Sequence, residues 1–252
     1  MAAIFTDLEG KVVLVTGGGS GIGEAIVRRF AEQKCRVAFI DIARDASERL
    51  VRELTGRGLD AHFEYADLTD IEALRAAIGR IRNRLGPIQI LINNAAHDDR
   101  HPTPEVTPEY WDDRIAVNLK HQFFAAQAVL PDMQAANSGS IINFGSVSWM
   151  AGQGGMAVYT AAKSAVLGLT RSLARDYGPH NIRVNAIAPG WIMTPRQIEK
   201  WMTPESEREL MQRQCLKRKL VPDEIARFTV FLASEEASAC TNQQYVVDGG
   251  WV

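Results

Sequence analysis

Short, continuous runs of apolar residues alternate along this chain with stretches of helix-forming residues. The runs KVVLVT, RVAFI, QILI and SIINF are rich in β-branched residues, which is typical of strands that are covered on both faces. The stretches EAIVRRFAEQ and VYTAAKSAVLGLTRSLA consist mainly of residues that favour helices. This alternation predicts an α/β fold of the Rossmann type, a doubly wound parallel sheet with helices on both faces.

The alternation extends over residues 1–252 without a Pro- or Ser-rich linker or a charge block. A chain with 46% hydrophobic residues buries a large core, and α/β folds of this size commonly form one domain, so we predict a single domain. The stretch at about residues 191–220 departs from the alternation. Its amphipathic, charged run EKWMTPESERELMQRQ predicts a helical segment that covers the pocket. The alternative is a surface excursion without motion.

Five glycines follow the first predicted strand within seven residues. Glycine lets the backbone approach a ligand closely, and the start of the following helix offers unpaired N–H groups and a partial positive charge. A merely tight strand-to-helix turn would need fewer glycines. The pattern T-G-x-x-x-G-x-G therefore predicts the pyrophosphate site of a nucleotide, formed by Gly17, Ser20, Gly21, Ile22 and Gly23.

Asp41 ends the second predicted strand, eighteen residues after Gly23. A carboxylate at this place accepts hydrogen bonds from both hydroxyls of an adenosine ribose and repels a 2′-phosphate. Asp41 therefore predicts NAD rather than NADP as the cofactor. Two alternatives stay open: Arg44 can accept a phosphate near the ribose, and Asp41 can be an ordinary turn residue.

A serine, a tyrosine and a lysine have the spacing of an acid–base site. Tyr159 and Lys163 are four residues apart in a predicted helix and share one face, while Ser146 follows the predicted strand SIINF. A phenol titrates near pH ~10, and lowering its pKa by about three units takes roughly 4 kcal/mol. The Lys163 ammonium is predicted to supply this stabilisation and to make Tyr159 a proton acceptor. The alternative is a solvated surface pair.

Together these motifs resemble those of the short-chain dehydrogenase/reductase family, with a similarity that runs from about Leu8 to the last residues. The resemblance implies a catalytic tetrad that relays protons through a water, formed by Asn118, Ser146, Tyr159 and Lys163. It also implies contacts to the cofactor from Asp67, Leu68, Asn94, Ala95, Tyr159, Lys163, Pro189, Gly190, Ile192 and Thr194. Ala96 departs from the family's usual Asn-Asn-Ala-Gly, which alters the backbone approach there slightly.

Further segments, among them HDDRH at residues 97–101 and TPRQIEKWMTPE, resemble a group of bacterial NAD-dependent sugar dehydrogenases. This implies an oxidoreductase that transfers a hydride to NAD from the anomeric hydroxyl of an aldose, a D-xylose-like pentose or a related sugar, and forms the lactone. The alternatives are a dehydrogenase of a 2-keto-3-deoxy sugar acid, a ketone or 3-ketoacyl reductase, and a non-catalytic nucleotide-binding module. The complete tetrad argues against the last of these.

The substrate site is predicted to include Ser146 and Tyr159 together with Trp149, Gln153, Trp191, Arg196 and Gln197. An indole face suits the apolar C–H face of a sugar ring, while amide and guanidinium groups bind hydroxyls. Arg196 can in addition bind the carboxylate of a sugar acid. The alternative for the tryptophans is that they fill the core or a contact between subunits.

Composition and charge favour a small-molecule substrate and give no sign of nucleic acid or a membrane as a partner. The net charge of −2 gives no reason to expect nucleic acid, and no apolar run is long enough to cross a bilayer. Three cysteines without zinc spacing and an N-terminus without a signal pattern predict a cytoplasmic location. The family resemblance implies a homotetramer.

Two histidines and two aspartates in HDDRH raise the question of a metal site. Pro102 and Pro104 follow them, so we predict a loop rather than a helix on which His97 and His101 would share a face. Hydride transfer to a nicotinamide also needs no metal in this mechanism. We therefore predict no metal, and assign the polar groups to sugar hydroxyls or to turn and capping roles.

Overall fold

The computed structural model describes residues 3–252. Its centre is one sheet of parallel strands in the order β3-β2-β1-β4-β5-β6-β7. The strands are β1 (Val12–Thr16), β2 (Arg36–Asp41), β3 (Ala61–Tyr65), β4 (Ile90–Asn93), β5 (Gly139–Phe144), β6 (Ile182–Pro189) and β7 (Gln244–Val247). The central strands form where the sequence has continuous apolar runs, because helices cover both faces of the sheet.

The helices among the described residues are α1 (Gly21–Glu32), α2 (Arg44–Gly56), α3 (Ile71–Leu85), α4 (Pro108–Ile115), α5 (His121–Ala136), α6 (Ala157–Tyr177), α7 (Pro195–Lys200), α8 (Pro204–Arg213) and α9 (Pro222–Ala233). Alternate residues of β1 face two separate apolar cores: Val13 and Val15 pack with α1 and α9, while Val12 and Leu14 pack with α3 and α5. The predicted doubly wound parallel sheet is confirmed. None of these helices is long and apolar enough to span a membrane.

The strand order reverses between β1 and β4, which is where open α/β sheets form a ligand crevice. Thr16 and Asn93 end these two strands and are partners in the sheet register. The Thr16 hydroxyl accepts hydrogen bonds from the backbone N–H groups of Asn94 and Ala95 at 3.1 and 3.2 Å. The loops that follow β1 and β4 are therefore fixed side by side.

The segment at residues 191–220 consists of two helices rather than one amphipathic run. Ile192 and Leu220 form a parallel bridge that joins the two ends of the segment. Thr194 caps α7 by accepting from the Gln197 N–H, and Thr203 caps α8 by accepting from the Ser206 N–H. The two caps explain the break, because each threonine starts a new helix.

Candidate active site

A cleft of about 730 Å³ opens at the carboxyl ends of β4, β5 and β6. One side of it is formed by residues that follow β5 and by the first turns of α6, and the other side by α7 and α8. Ser146, Tyr159 and Lys163 all line this cleft, as do Gln153, Trp191 and Gln197. The fold therefore brings the predicted acid–base residues and most of the predicted substrate residues into one space.

The glycine turn after β1 is built by close backbone contacts. A Cβ at Gly23 would lie 1.8 Å from the carbonyl oxygen of Gly17, and Gly17 itself has a φ of +68°. The side-chain amide of Asn94 donates to the carbonyls of Thr16 and Gly17 at 3.1 and 3.0 Å, which fixes the turn against the end of β4. The loop shape thus depends on the absence of side chains at these glycines.

The first turn of α1 has the character of an anion site. Ser20 occupies the N-cap position in extended conformation, and among the described residues no side chain caps this end. The N–H groups of the first turn therefore remain available to a ligand. Ile22, in the same turn, lines the cleft. These residues fit the pyrophosphate of a dinucleotide.

Asp41, at the end of β2, lies beside the glycine turn. Its Oδ2 accepts from the Gly19 N–H and its Oδ1 from the Ala43 N–H, both at 2.8 Å. A carboxylate oxygen has a second lone pair, so both oxygens can still accept from ribose hydroxyls. Arg44 lies over the Tyr65 ring, with its Cζ 4.5 Å from the ring centre, rather than pairing with Asp41.

The other predicted cofactor residues lie at the ends of neighbouring strands. Leu68 and Ala95 are buried, whereas Asp67 is exposed and accepts from the Thr69 N–H and hydroxyl. The end of β6 and the turn that follows it also line the cleft, with Pro189, Gly190, Ile192 and Thr194. These positions lie at or just after the carboxyl ends of β3, β4 and β6, at the same edge of the sheet as the glycine turn.

Tyr159 and Lys163 lie one turn apart on α6, as predicted. The Lys163 Nζ is 5.8 Å from the centre of the Tyr159 ring and donates to the Phe144 carbonyl at 2.8 Å. Lys163 is only 2% exposed, and burial lowers its pKa to about 7. Burial and the charge of Asp98 raise the pKa of Tyr159 above its usual value, and the nearby Ser146 lowers it.

In this structure burial raises the pKa of Tyr159, and the lowering of that pKa by Lys163 stays a prediction. Desolvation disfavours the charged forms of both groups, so it raises the pKa of the phenol and lowers that of the ammonium. A lysine with a pKa near 7 carries only part of its charge at neutral pH. Its remaining N–H groups still make it a hydrogen-bond donor in the cleft.

Ser146 and Asn118 are held by local hydrogen bonds. The Ser146 hydroxyl accepts from the Ser148 N–H at 3.1 Å, at the start of the turn that follows β5. Asn118 is fully buried in a π-helical turn between α4 and α5, and its side chain accepts from the His97 N–H and donates to the His97 carbonyl. Asn118 thus connects this helix to the loop after β4 and does not itself line the cleft.

Two predicted substrate residues are in different places from those expected. Trp149 does not line the cleft and is 36% exposed, because the short turn Val147–Trp149 directs its last side chain outward. The Arg196 guanidinium already pairs with two carboxylates, donating to Asp98 at 3.1 Å and to Asp99 at 2.5 Å. It is therefore not a free anchor for a substrate carboxylate.

Asp98 and Arg100 also line the cleft, although the sequence points to the polar groups of residues 97–101 only as a set and does not single these two out. Arg100 lies over the Trp201 ring, with its Cζ 4.8 Å from the centre. With its amide oxygen turned toward the guanidinium, Gln153 accepts from Arg100 at 3.1 and 3.3 Å. Their place in the sequence could have identified them, because both residues follow the carboxyl end of β4, where ligand-binding loops of such sheets lie.

The two histidines of this loop have structural partners. His101 is buried and bonds to the Tyr110 hydroxyl at 2.9 Å, and it accepts from the Val158 N–H at 3.3 Å. His97 contacts Arg114, and burial lowers its pKa. Residues 97–101 form a loop, and residues 3–252 hold no cluster of three or more potential metal-binding side chains of His, Cys, Asp or Glu.

Known proteins match this chain along nearly its whole length. The family model described as enoyl-(acyl carrier protein) reductase matches residues 17–252. The chain is 45% identical over 250 residues to D-xylose 1-dehydrogenase of Caulobacter vibrioides (strain NA1000 / CB15N), covering 99% of each. It is 48% identical over 247 residues to "Probable galactose dehydrogenase GalD" of Rhizobium meliloti (strain 1021), covering 98% of this chain and 96% of the relative.

Solved structures with the same fold also cover nearly the whole chain. A short-chain dehydrogenase/reductase from Serratia marcescens BCRC 10948 has a TM-score of 0.91 and 35% identity, with 97% of this chain and 99% of that chain covered. A blue fluorescent protein from a metagenomic library, in complex with NADPH, has a TM-score of 0.89 and 35% identity, with 98% and 99% covered.

Proposed function

This chain belongs to the short-chain dehydrogenase/reductase family, and we propose that it oxidises the anomeric hydroxyl of a free aldose to the lactone. The observation that carries this proposal is the cleft in which Ser146, Tyr159 and Lys163 lie beside a glycine turn suited to a dinucleotide. The similarity to a D-xylose and a galactose dehydrogenase supports a sugar as the substrate.

A nicotinamide cofactor, when bound, supplies the acceptor for the hydride. Tyr159, in its deprotonated form, takes the proton of the reacting hydroxyl, and Ser146 hydrogen-bonds the same oxygen and orients it. One N–H of Lys163 is used by the Phe144 carbonyl, and the others can bind the hydroxyls of the nicotinamide ribose. Asn118 keeps the loop after β4 in place, through its two bonds to the backbone of His97.

The structure gives reasons to favour a neutral aldose over a sugar acid. Arg196, the residue expected to bind a substrate carboxylate, is already shared between Asp98 and Asp99. A carboxylate would therefore depend on another cation of the cleft, such as Arg100 in the loop after β4. Trp191 and Gln197 line the cleft and offer an indole face and an amide, which suit a sugar ring and its hydroxyls. We therefore place the aldose between Trp191 and Tyr159.

The direct test is NADH formation from NAD, followed at 340 nm, with a panel of D-xylose, L-arabinose, D-galactose, L-fucose and D-glucose. We expect turnover with at least one free aldose, and little or none with the matching polyols and 2-keto-3-deoxy sugar acids. Turnover of the acids alone would move the assignment to a sugar-acid dehydrogenase. Silence on all of these sugars, together with reduction of 3-ketoacyl substrates, would identify a reductase.

We propose NAD as the cofactor, because the Asp41 carboxylate is held by two backbone N–H groups where a ribose would bind. A 2′-phosphate at this place would meet a fixed negative charge. Arg44 is the competing feature, but it stacks on Tyr65. We also propose one domain over residues 1–252, a homotetramer and a cytoplasmic location, which follow from the family resemblance and the composition.

Replacing Asp41 by Ala is expected to shift the preference toward NADP. The change removes both the acceptor for the ribose hydroxyls and the charge that repels a phosphate. The kcat/KM should therefore fall with NAD and rise with NADP, so that the ratio of the two values changes by about tenfold or more. Asp45→Ala is the matched control, because it removes a carboxylate from the first turn of α2 instead. A wild-type preference for NADP would contradict the proposal.

A further inference from the structure

A chain of side-chain hydrogen bonds crosses one wall of the cleft, from Trp191 to the loop after β4. The Trp191 indole N–H donates to the Gln197 Oε1 at 2.8 Å, and the Gln197 Nε2 donates to the Asp98 Oδ2 at 2.5 Å. The Nε of Arg196 donates to the other oxygen of Asp98 at 3.1 Å. Each oxygen of Asp98 therefore holds a donor, and both donors belong to α7.

Asp99, the next residue, also forms ion pairs with α7, but with other atoms than those that bind Asp98. It accepts from the Arg196 Nη2 at 2.5 Å and lies 3.8 Å from the Lys200 Nζ. Its side chain is 39% exposed, against 23% for Asp98, and it does not line the cleft. The two neighbouring carboxylates thus share one arginine, but only Asp98 faces the substrate space.

The orientation of the Trp191 indole depends on this chain of bonds. Gln197 uses its oxygen for Trp191 and its nitrogen for Asp98, so the acceptor at Asp98 fixes which way the amide faces. With the amide reversed, its N–H groups would face the indole N–H, which is itself only a donor. Trp191 also packs on Trp251, with ring centres 6.2 Å apart, so a rotation of the indole would disturb that contact too.

We propose that Asp98 is a positioning residue of the sugar site, which sets selectivity among aldoses by holding α7 and the Trp191 indole in one orientation. This inference rests on the proposed function, since it places the sugar between Trp191 and Tyr159. Aldose epimers differ in the direction of one hydroxyl, and an indole plane fixed in one orientation accepts one of the two ring faces better. Hydrogen bonds to an ionised carboxylate are strong enough to keep that orientation.

The kinetic test compares Asp98→Ala and Asp98→Asn with Asp99→Ala as the matched control. Asp98→Ala is expected to raise the KM for the best aldose about tenfold and to reduce the ratio of kcat/KM between C4 epimers, such as D-galactose and D-glucose. The KM for the nicotinamide cofactor should change less than about twofold, because the side-chain hydrogen bonds of Asp98 go to α7 and not to the glycine turn. Asp98→Asn keeps one acceptor oxygen, so its aldose KM and its epimer ratio should be intermediate between those of the wild type and of Asp98→Ala.

Asp99→Ala leaves the bonds from Gln197 and the Arg196 Nε to Asp98 intact, so its effect on the aldose KM and the epimer ratio should be small. Equal effects of Asp98→Ala and Asp99→Ala on the aldose KM and the epimer ratio would overturn the proposal. The loss of a bond to Arg196, which both variants share, would then explain both results. An unchanged epimer ratio in Asp98→Ala would overturn it as well. Melting temperatures of all three variants show whether any of them is unfolded.

A second readout does not depend on catalysis. Trypsin cleaves after lysine, and Lys200 ends α7; Asp98→Ala should speed cleavage at this site several-fold over the wild type, because it removes the bonds from Gln197 and from the Arg196 Nε to Asp98. If the wild type oxidises no aldose, the proposed function fails, and this cleavage alone tests whether Asp98 holds α7. If Asp98→Ala were then cleaved at the same rate as the wild type, the positioning role of Asp98 would be overturned.

Discussion

Tyr159→Phe is expected to reduce the kcat for the best aldose by about 100- to 10,000-fold and to leave the affinity for the dinucleotide nearly unchanged. The substitution removes one oxygen and keeps the ring, so the packing at the start of α6 is preserved. Tyr159 lines the cleft together with Ser146, and the variant lacks the phenolic oxygen that we assign as the acceptor of the proton from the reacting hydroxyl. Initial rates at saturating aldose and a cofactor titration by protein fluorescence measure the two quantities.

Tyr177→Phe is the matched control for this variant, because Tyr177 lies at the other end of the same helix and is not part of the cleft. It should leave both kcat and KM near the wild-type values. Near-normal turnover in Tyr159→Phe would refute the assignment of Tyr159 as the proton acceptor. A parallel loss of dinucleotide affinity would instead mean that the phenol mainly supports the cofactor site.

The sheet was predictable because its inner strands are buried on both faces, so each appears in the sequence as a continuous apolar run. The pairing of Tyr159 with Lys163 was predictable for a similar reason, since a spacing of four residues fixes their relation within one helix. Ser146 follows β5 directly, and the strand order then places it beside α6. These features follow from local sequence and from the rules of parallel sheets.

The contacts of Arg196 could not be predicted in this way. Its partners Asp98 and Asp99 are 98 and 97 residues away in the sequence, and they meet it only because α7 returns across the end of β4. The direction of Trp149 depends on a single short turn, and sequence spacing does not determine it. The pKa of Tyr159 depends on how deeply the folded chain buries it, which no spacing reports.

Gly23→Ala is expected to abolish measurable binding of the dinucleotide and to lower the melting temperature. A Cβ at this position would lie 1.8 Å from the Gly17 carbonyl oxygen and 2.7 Å from the Asn94 side-chain nitrogen. The first of these atoms belongs to the backbone, so the clash can be relieved only if α1 moves away from the glycine turn. That movement would displace the N–H groups that we assign to the pyrophosphate. Calorimetric titration with NAD and thermal unfolding measure the two effects.

Gly79→Ala separates this contact from the general effect of replacing a helical glycine. Gly79 lies inside α3, and a Cβ there would meet no atom within 4 Å. Alanine favours a helix interior over glycine by roughly 0.5–1 kcal/mol, so this control should bind NAD normally and unfold at an equal or higher temperature. If Gly23→Ala also bound NAD with unchanged affinity, the turn after β1 would not be the pyrophosphate site, because that variant cannot keep the close contact between Gly23 and Gly17 on which the site depends.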